Sequence, residues 1–410
     1  MCAFGEGQKY IYFFRTRTTQ SNVVLYFVLH LRYNCCYWFI LLSNRTLETM
    51  PLKLSYTPHT LQFKFDARTS RGAIREHKVY YITAFDAAQP ELVGVGECAP
   101  LAGLSIDYRP DLEEKIREVA ALVNEQKVKL EAAEALQQEL NLKDWPALYF
   151  ALETALSDLK NGGKRLIYSN SFSRGEAGIP INGLIWMGDA AFMREQINKK
   201  LKEGYTCLKL KIGGLDFGQE LEILQSIRER TPADCLTIRV DANGAFSPQE
   251  AYKKLERLAK YDIHSIEQPI KQGQPEEMAE LCAYSPVPIA LDEELIGVQE
   301  SKEKEQLLDK IKPHYIILKP TLVGGLAASA EWIKLAEDRS IDWWMTSALE
   351  SNIGLNAISQ FTAQHDITLP QGLGTGQLYH NNIASPLQIK NGELWYEQES
   401  GWGEIPAAGA

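Results

Sequence analysis

The feature that most constrains this chain is a rhythm. From Pro180 onward, short apolar runs alternate with amphipathic stretches of helical period. The runs fall near 181–187, 207–213, 236–242, 263–269, 288–293, 315–320, 342–347 and 367–371, with seven helical stretches between them. Strand and helix alternating over about two hundred residues predict parallel strands joined by crossover helices, and eight of them predict a closed barrel. Start signals support individual helices. Ser247-Pro-Gln-Glu250 reads as a capping box with proline in the first turn, and Asp189 precedes the helix that runs to Gly204. A doubly wound sheet is the competing architecture. It would ordinarily carry a glycine-rich phosphate loop after its first strand, and Gly188-Asp-Ala provides none.

The segment ahead of the barrel has another character. Leu61, Phe63 and Phe65 alternate with polar residues, and runs at 79–84 and 93–98 follow, giving strands. From Asp111 to Leu142 the period becomes helical, with Ile116, Val119, Leu122 and Val123 on one face. Asp144-Trp-Pro-Ala opens another helix carrying Leu148, Leu152, Ala155 and Leu159. This is an α+β unit. The tail from Leu387 to Tyr396 reads as a hairpin turning at Asn391-Gly392, expected to rejoin the N-terminal unit.

Residues 1–49 stand apart. They hold 11 of the 40 aromatic residues, five basic residues and only Glu6 and Glu48 as acids. The other 361 residues carry 38 basic and 51 acidic side chains, a net −13 within the chain's total of −10. Val23–Leu42 is apolar enough to raise a membrane question, but Arg32 and Asn34 sit in its middle, where polarity is costly. The expectation is a leader outside the functional fold, with Met50 as the natural start; a signal or anchor is the competing reading. The acidic surplus argues against nucleic acid as a partner. Nothing in 50–410 predicts membrane insertion. Seven scattered cysteines without a Cys-x-x-Cys pair point to a reducing compartment and a cytoplasmic protein.

In a parallel barrel, chemistry gathers at the carboxyl ends of the strands. The second strand reads Cys207-Leu-Lys-Leu-Lys211, so period 2 turns Lys209 and Lys211 inward and the leucines toward the helices. The next strands end in Asp241, Glu267 and Asp292, and the sixth in Lys319. Three inward carboxylates repel one another unless a cation joins them, and hard oxygen ligands suit Mg²⁺, with Mn²⁺ as substitute. A lysine crowded by other cations has its pKa lowered and acts as a base near neutrality. Such a set suits removal of a proton α to a carboxylate. Arg239 and Asn243 share the face of Asp241 and are assigned to orienting the metal ligands or substrate, with a buried strut as the equal alternative.

These motifs resemble the enolase superfamily, in its muconate-lactonizing-enzyme-like subgroup with Lys-x-Lys on the second strand. The resemblance covers about residues 51–400. It implies a modified (β/α)7β TIM barrel at 166–375 and an α+β capping domain at 50–165 plus 376–400. It implies Mg²⁺ on Asp241, Glu267 and Asp292, Lys211 and Lys319 on opposite sides of the substrate, and Lys209 as electrostatic partner of the base. Epimerases of the subgroup carry Asp-x-Asp at the eighth strand, where this chain has Leu369-Pro-Gln-Gly372. Enzymes resembling mandelate racemase use a histidine near the seventh strand, where this chain has Thr346-Ser-Ala-Leu-Glu-Ser351.

That stretch and the Gly-Leu-Gly-Thr at 372–375 are similar to o-succinylbenzoate synthases; N-succinylamino acid racemases are the alternative. The resemblance implies dehydration of a small-molecule carboxylate in menaquinone biosynthesis. It assigns substrate contacts to backbone at Gly372, Leu373 and Gly374, to hydroxyls of Ser347 and Ser351, and to Gly103 in a loop, 94–105, that closes over the substrate. A homo-oligomer is left open.

Overall fold

A computed structural model of the chain describes residues 12–14, 25–27, 52–69, 72–125 and 137–406. The chain divides into two compact units, Met1–Met50 and Pro51–Ala410. In the first, Tyr12–Phe14 (β1) pairs antiparallel with Leu25–Phe27 (β2). The rest of Val23–Leu42 lies outside the described residues. No described helix is long and apolar enough to cross a membrane.

The second unit begins with an antiparallel sheet in the order β3-β4-β5, from Leu52–Thr69 (β3), Gly72–Asp86 (β4) and Gln89–Cys98 (β5). Helices Leu112–Asn124 (α1) and Pro146–Lys160 (α2) follow. In α1 the buried face includes Ile116, Val119 and Val123. Helix α2 starts at a proline, whose missing N–H costs nothing there. Its next free N–H, that of Ala147, donates to the Asp107 carboxylate at 2.8 Å. Two glycines let α2 lie directly on β5. A Cβ on Gly94 would sit 2.0 Å from the Ala155 carbonyl oxygen, and one on Gly96 would sit 1.9 Å from that of Ala151. Leu148, Leu152 and Leu159 are almost fully buried, each contributing about 1.5–3 kcal/mol. On the far side of α2, Glu153 accepts from the N–H groups of Leu326 and Ala327, at 2.6 and 3.1 Å, tying the helix to the barrel.

The barrel follows. After Ile179–Pro180 (β6) come Gly183–Ile185 (β7), Ala190–Lys202 (α3), Cys207–Lys211 (β8), Phe217–Arg228 (α4) and Thr237–Asp241 (β9). Pro248–Leu258 (α5), Ile263–Glu267 (β10), Pro275–Tyr284 (α6), Ile289–Leu291 (β11) and Ser301–Ile311 (α7) continue the pattern. Tyr315–Leu318 (β12), Pro320–Val323 (α8), Gly325–Glu337 (α9), Asp342–Met345 (β13) and Asn352–Thr362 (α10) complete it. Asp189 caps α3 by accepting from Phe192 N–H at 2.8 Å. Ser247 stands at the N-cap of α5, but its hydroxyl donates to Glu250 and makes no cap bond to the backbone.

Strands β7 to β13 form one parallel seven-stranded sheet in sequence order. The run expected at 367–371 does not become a full eighth strand. Only Gln371 and Gly372 bridge, Gln371 to Ile181 and Gly372 to Thr346, both parallel. Gln371 N–H donates to Pro180 O at 2.8 Å and Gly372 N–H to Met345 O at 2.7 Å, closing the ring. Pro370 has no N–H to extend the ladder, which keeps this seam two residues long.

The tail differs from expectation. Leu387–Lys390 (β14) and Glu393–Tyr396 (β15) form the hairpin, but β15 pairs antiparallel with β6 at the entrance to the barrel. Leu387 and Leu394 join the barrel core with Ile179, and the bare face of Gly178 admits the Trp395 ring. The part of the tail that reaches the capping sheet is 378–383. There Lys64 N–H donates to Leu378 O at 2.9 Å, and Tyr379 packs edge-on to Phe63.

Candidate active site

Lys209 and Lys211 point inward from β8, as period 2 requires, and both are buried. Asp241 ends β9, Glu267 ends β10, and Asp292 and Lys319 directly follow β11 and β12. The parallel registers pair Lys211 with Asp241 and Asp241 with Glu267, so the groups share one rung. Lys209 donates to Glu267 and lies 3.0 Å from Asp241 Oδ2. Lys211 donates to the same Asp241 oxygen and to Asn243 Oδ1 at 3.0 Å. Lys319 donates to Asp292 and lies 3.9 Å from Glu267 Oε1.

The three lysines are not equivalent. Burial lowers the pKa of Lys211, and Lys209 and Lys319 lower it further, so the pull of Asp241 does not restore the usual value. For Lys209 burial also opposes the charge, but Glu267 and Asp241 outweigh it and hold the ammonium above its ordinary pKa. Lys319 is likewise raised against burial by Asp292 and Glu267. One lysine thus gives up its proton more readily than the two beside it. Among the acids, burial and the charges of Asp241 and Asp292 push Glu267 up to about 8. Asp241 and Asp292 stay below their usual range, because their lysines overcome the cost of burial.

Above this rung lies a cavity of about 690 Å³ between the barrel mouth and the capping sheet. Lys209, Lys211 and Lys319 line its charged side. Phe65, Ile74 and the loop from Leu101 to Leu104 form the cap wall, and Leu184, Trp186 and Thr346–Leu349 form the barrel wall. Gly103, Ser347, Gly372 and Gly374 line it too. Gly372 must be glycine, since a Cβ would lie 2.3 Å from Thr346 Oγ1. Strands β8 to β12 and the residues just after them supply every charge on the rung, and the seam of β13, Gln371–Gly372 and β7 supplies none.

The remaining expected residues take different places around the site. Arg239 lies one inward position below Asp241, 1% exposed, with its guanidinium stacked 3.9 Å from the Trp344 ring centre and donating to Pro370 O. It is a strut beneath the site and does not line the cavity. Ser351 is the N-cap of α10 and donates to Glu97 Oε2 at 2.6 Å, which turns it away from the cavity. Leu373 alternates with its glycine neighbours and enters the barrel core. Asn243 holds Lys211 from beside the cavity, with its amide nitrogen donating to Glu293 at 3.1 Å.

Other residues escaped sequence reasoning. Gln268 Oε1 accepts from Asp292 N–H at 3.2 Å and so ties two carboxylate-bearing strand ends together. Glu350 accepts from Thr321, Ser347 and Ala348 N–H, joining the turn after Lys319 to the cavity wall. Trp186 is held by Gln196, which accepts from its N–H and donates to its carbonyl. Glu350 stood in the Thr346–Ser351 stretch without an assigned role, and Gln268 follows Glu267 directly.

Among the described residues, no three metal-ligating side chains are already drawn around one point, because the lysine ammoniums lie between the carboxylates. The donor set nonetheless fits a hard cation. Glu267 Oε1 is buried with no hydrogen-bond partner, and burial, followed by the charges of Asp241 and Asp292, works against its ionised form. A divalent ion there would relieve both.

A capped parallel barrel with lysines facing carboxylates across its mouth defines a class, and the sequence comparison agrees. Residues 192–406 match the family described as enolase C-terminal domain-like, and the chain belongs to that family. Enzymes of the enolase superfamily use a divalent metal ion. Within the family, the chain is 46% identical over 366 residues to the o-succinylbenzoate synthase of Desulfotalea psychrophila, covering 84% of this chain and 98% of that one. The crystal structure of MenC from the same organism superposes with a TM-score of 0.76 at 43% identity, over 84% of this chain and 99% of that one. An N-succinylamino acid racemase of Amycolatopsis is 25% identical over 345 residues, covering 83% of this chain and 90% of the relative.

Proposed function

We propose that the chain dehydrates 2-succinyl-6-hydroxy-2,4-cyclohexadiene-1-carboxylate to o-succinylbenzoate, a lyase step toward menaquinone. The observation that carries this is the 46% identity to an o-succinylbenzoate synthase over nearly that enzyme's whole length. The reaction removes the proton α to the ring carboxylate and expels the hydroxyl from the same face. Lys211 is the base: it is the lysine whose pKa is lowered, and it lines the cavity. It takes the α-proton on Nζ and returns it to the departing hydroxyl as water forms. Asn243 and Asp241 aim Nζ for both transfers. Lys319, kept protonated by Asp292, faces the ring from the other side and stabilises its growing π system. Lys209 stays charged and helps to lower the pKa of Lys211.

Asp241, Glu267 and Asp292 would hold Mg²⁺, or Mn²⁺ in its place, which when bound supplies positive charge against the substrate carboxylate. The ring becomes aromatic on elimination, so the site need not supply a large driving force. Gly372, Gly374, Ser347 and Gly103 are the expected neighbours of the succinyl arm.

N-succinylamino acid racemisation is a second reading, favoured by Lys211 and Lys319 lining one cavity from different strands. The test is loss of diene absorbance by purified protein with and without EDTA, beside racemisation of an N-succinylamino acid. No metal-dependent loss of the diene would remove the dehydration; a racemisation rate rivalling it would favour the second reading.

A further inference from the structure

Outside the charged rung, the buried group with the most unusual partners is His77 on β4. It is 3% exposed and does not touch the cavity. Its Nδ1 lies 3.0 Å from the Leu349 carbonyl oxygen and its Nε2 lies 3.3 Å from that of Pro100. Both partners only accept, so a neutral ring, with one N–H, donates to one at a time. The two carbonyls belong to opposite walls of the cavity. Pro100 begins the cap loop, in which Leu101, Ala102, Gly103 and Leu104 are lining residues. Leu349 ends the barrel stretch Thr346–Leu349, also lining.

Leu349 also needs an anchor. Its φ of 70° is left-handed, a region that disfavours a branched side chain without external support. Within the loop its N–H donates to Ser347 Oγ at 3.1 Å, and its carbonyl is held from outside. Tyr379 donates its hydroxyl to the same Leu349 oxygen, so two side chains packed under the cap fix one barrel carbonyl. The cap loop has its own closure, with Leu101 N–H donating to Ser105 Oγ at 2.7 Å and Ser105 N–H to Leu101 O at 2.9 Å. This makes the loop a unit whose root, Pro100, is held by His77.

We infer that His77 is a positioning residue that clamps the cap wall of the cavity to its barrel wall, setting how closely the two loops approach a bound substrate. It acts through the backbone of Pro100 and Leu349 and exchanges no proton with substrate. Its loss therefore falls on binding more than on chemistry. The kinetic consequence rests on the proposed dehydration; the structural one does not.

The experiment compares His77→Leu, which donates nothing, with His77→Gln, whose donor end is fixed where the ring's two tautomers serve either carbonyl, in the full metal-loaded chain. His77→Leu is expected to raise KM for the cyclohexadiene substrate about tenfold, the loss of one hydrogen bond. Its kcat should stay within about threefold, far below the effect of losing an acid–base group. Amide hydrogen exchange should quicken in residues 101–105 and 348–351 and little elsewhere. His77→Gln should regain most of the KM and protect only one of the two loops. An unchanged KM in His77→Leu, a kcat loss at constant KM, exchange quickening evenly along the chain, or a Gln variant no better than Leu would overturn the clamp. Should His77→Leu fail to fold, His77→Gln against wild type decides: neither loop changed and KM unmoved would refute it. A wild-type protein that does not dehydrate the diene refutes the assigned reaction, while exchange still judges the clamp.

Discussion

Removing the Lys211 side chain separates chemistry from folding. The Lys211 Nζ now bonds to Asp241 and Asn243, and Lys211→Ala deletes both contacts. Asp241 does not become an unpaired buried charge, because Lys209 remains 3.0 Å away. The truncated space opens into a cavity of about 690 Å³ and leaves no sealed void, so the stability loss should stay within about 2 kcal/mol. The rate should suffer far more. A positioned general base contributes about 10²–10⁴-fold, and each decade is about 1.36 kcal/mol of barrier. The upper end is expected, since Lys209 and Lys319 are both held protonated and offer no substitute acceptor. The assay follows the diene absorbance under single-turnover conditions, with calorimetric metal titration and thermal melting on the same sample. A folded, metal-binding variant that turns over within tenfold of wild type would remove Lys211 as the base.

Asp241→Asn should weaken divalent-metal affinity by at least about tenfold in calorimetry, as loss of one charged ligand implies; an unchanged titration would count against its ligand role. Gly96→Ala should cost about 3 kcal/mol or more in a urea melt, because the new Cβ would sit 1.9 Å from the Ala151 carbonyl and lift α2 off β5. A loss under about 1 kcal/mol would show that α2 shifts freely. Burial raises the Glu97 carboxyl to about 7, so the folded state binds its proton more tightly than the unfolded chain does. Stability should therefore fall as pH rises from the ordinary carboxylate range through about 7. Glu97→Gln should flatten that fall between pH 5 and 8, with Asp107, also raised by burial, leaving a residual slope; an unaltered slope would refute the assignment.

The barrel was legible because its signals are local. Strand period turns Lys209 and Lys211 inward whatever the neighbours do, and the same holds for Asp241 and Glu267. What the sequence left open is settled by depth or partners. Arg239 shares the inward face with Asp241, but only the Trp344 ring below it shows that it lies under the cavity floor. The inward turn of the Leu373 side chain follows from the alternation that exposes Gly372 and Gly374, and it leaves the backbone assignment there untouched. Ser351 was also readable as an N-cap, standing just before an apolar helical run. His77 and Glu97 were not readable. Their partners lie 272 and 254 residues away in sequence, and only the packed cap brings them together. The hairpin was placed wrongly because its turn fixes its shape and says nothing of which edge it joins.

The seam at Gln371–Gly372 has a consequence for ancestry. The three lysines and three carboxylates of the rung stand on one arc of the ring, and the arc that closes it is short, carries no charge on that rung and bears a glycine. Substitutions on that second arc reshape the room in the cavity without disturbing any of those six groups. A lineage can therefore exchange one carboxylate substrate for another by editing a few neutral positions, while the inherited half-reaction, abstraction of an α-proton, is carried along intact. The weakest-paired strand of the barrel is in this sense its most adaptable part.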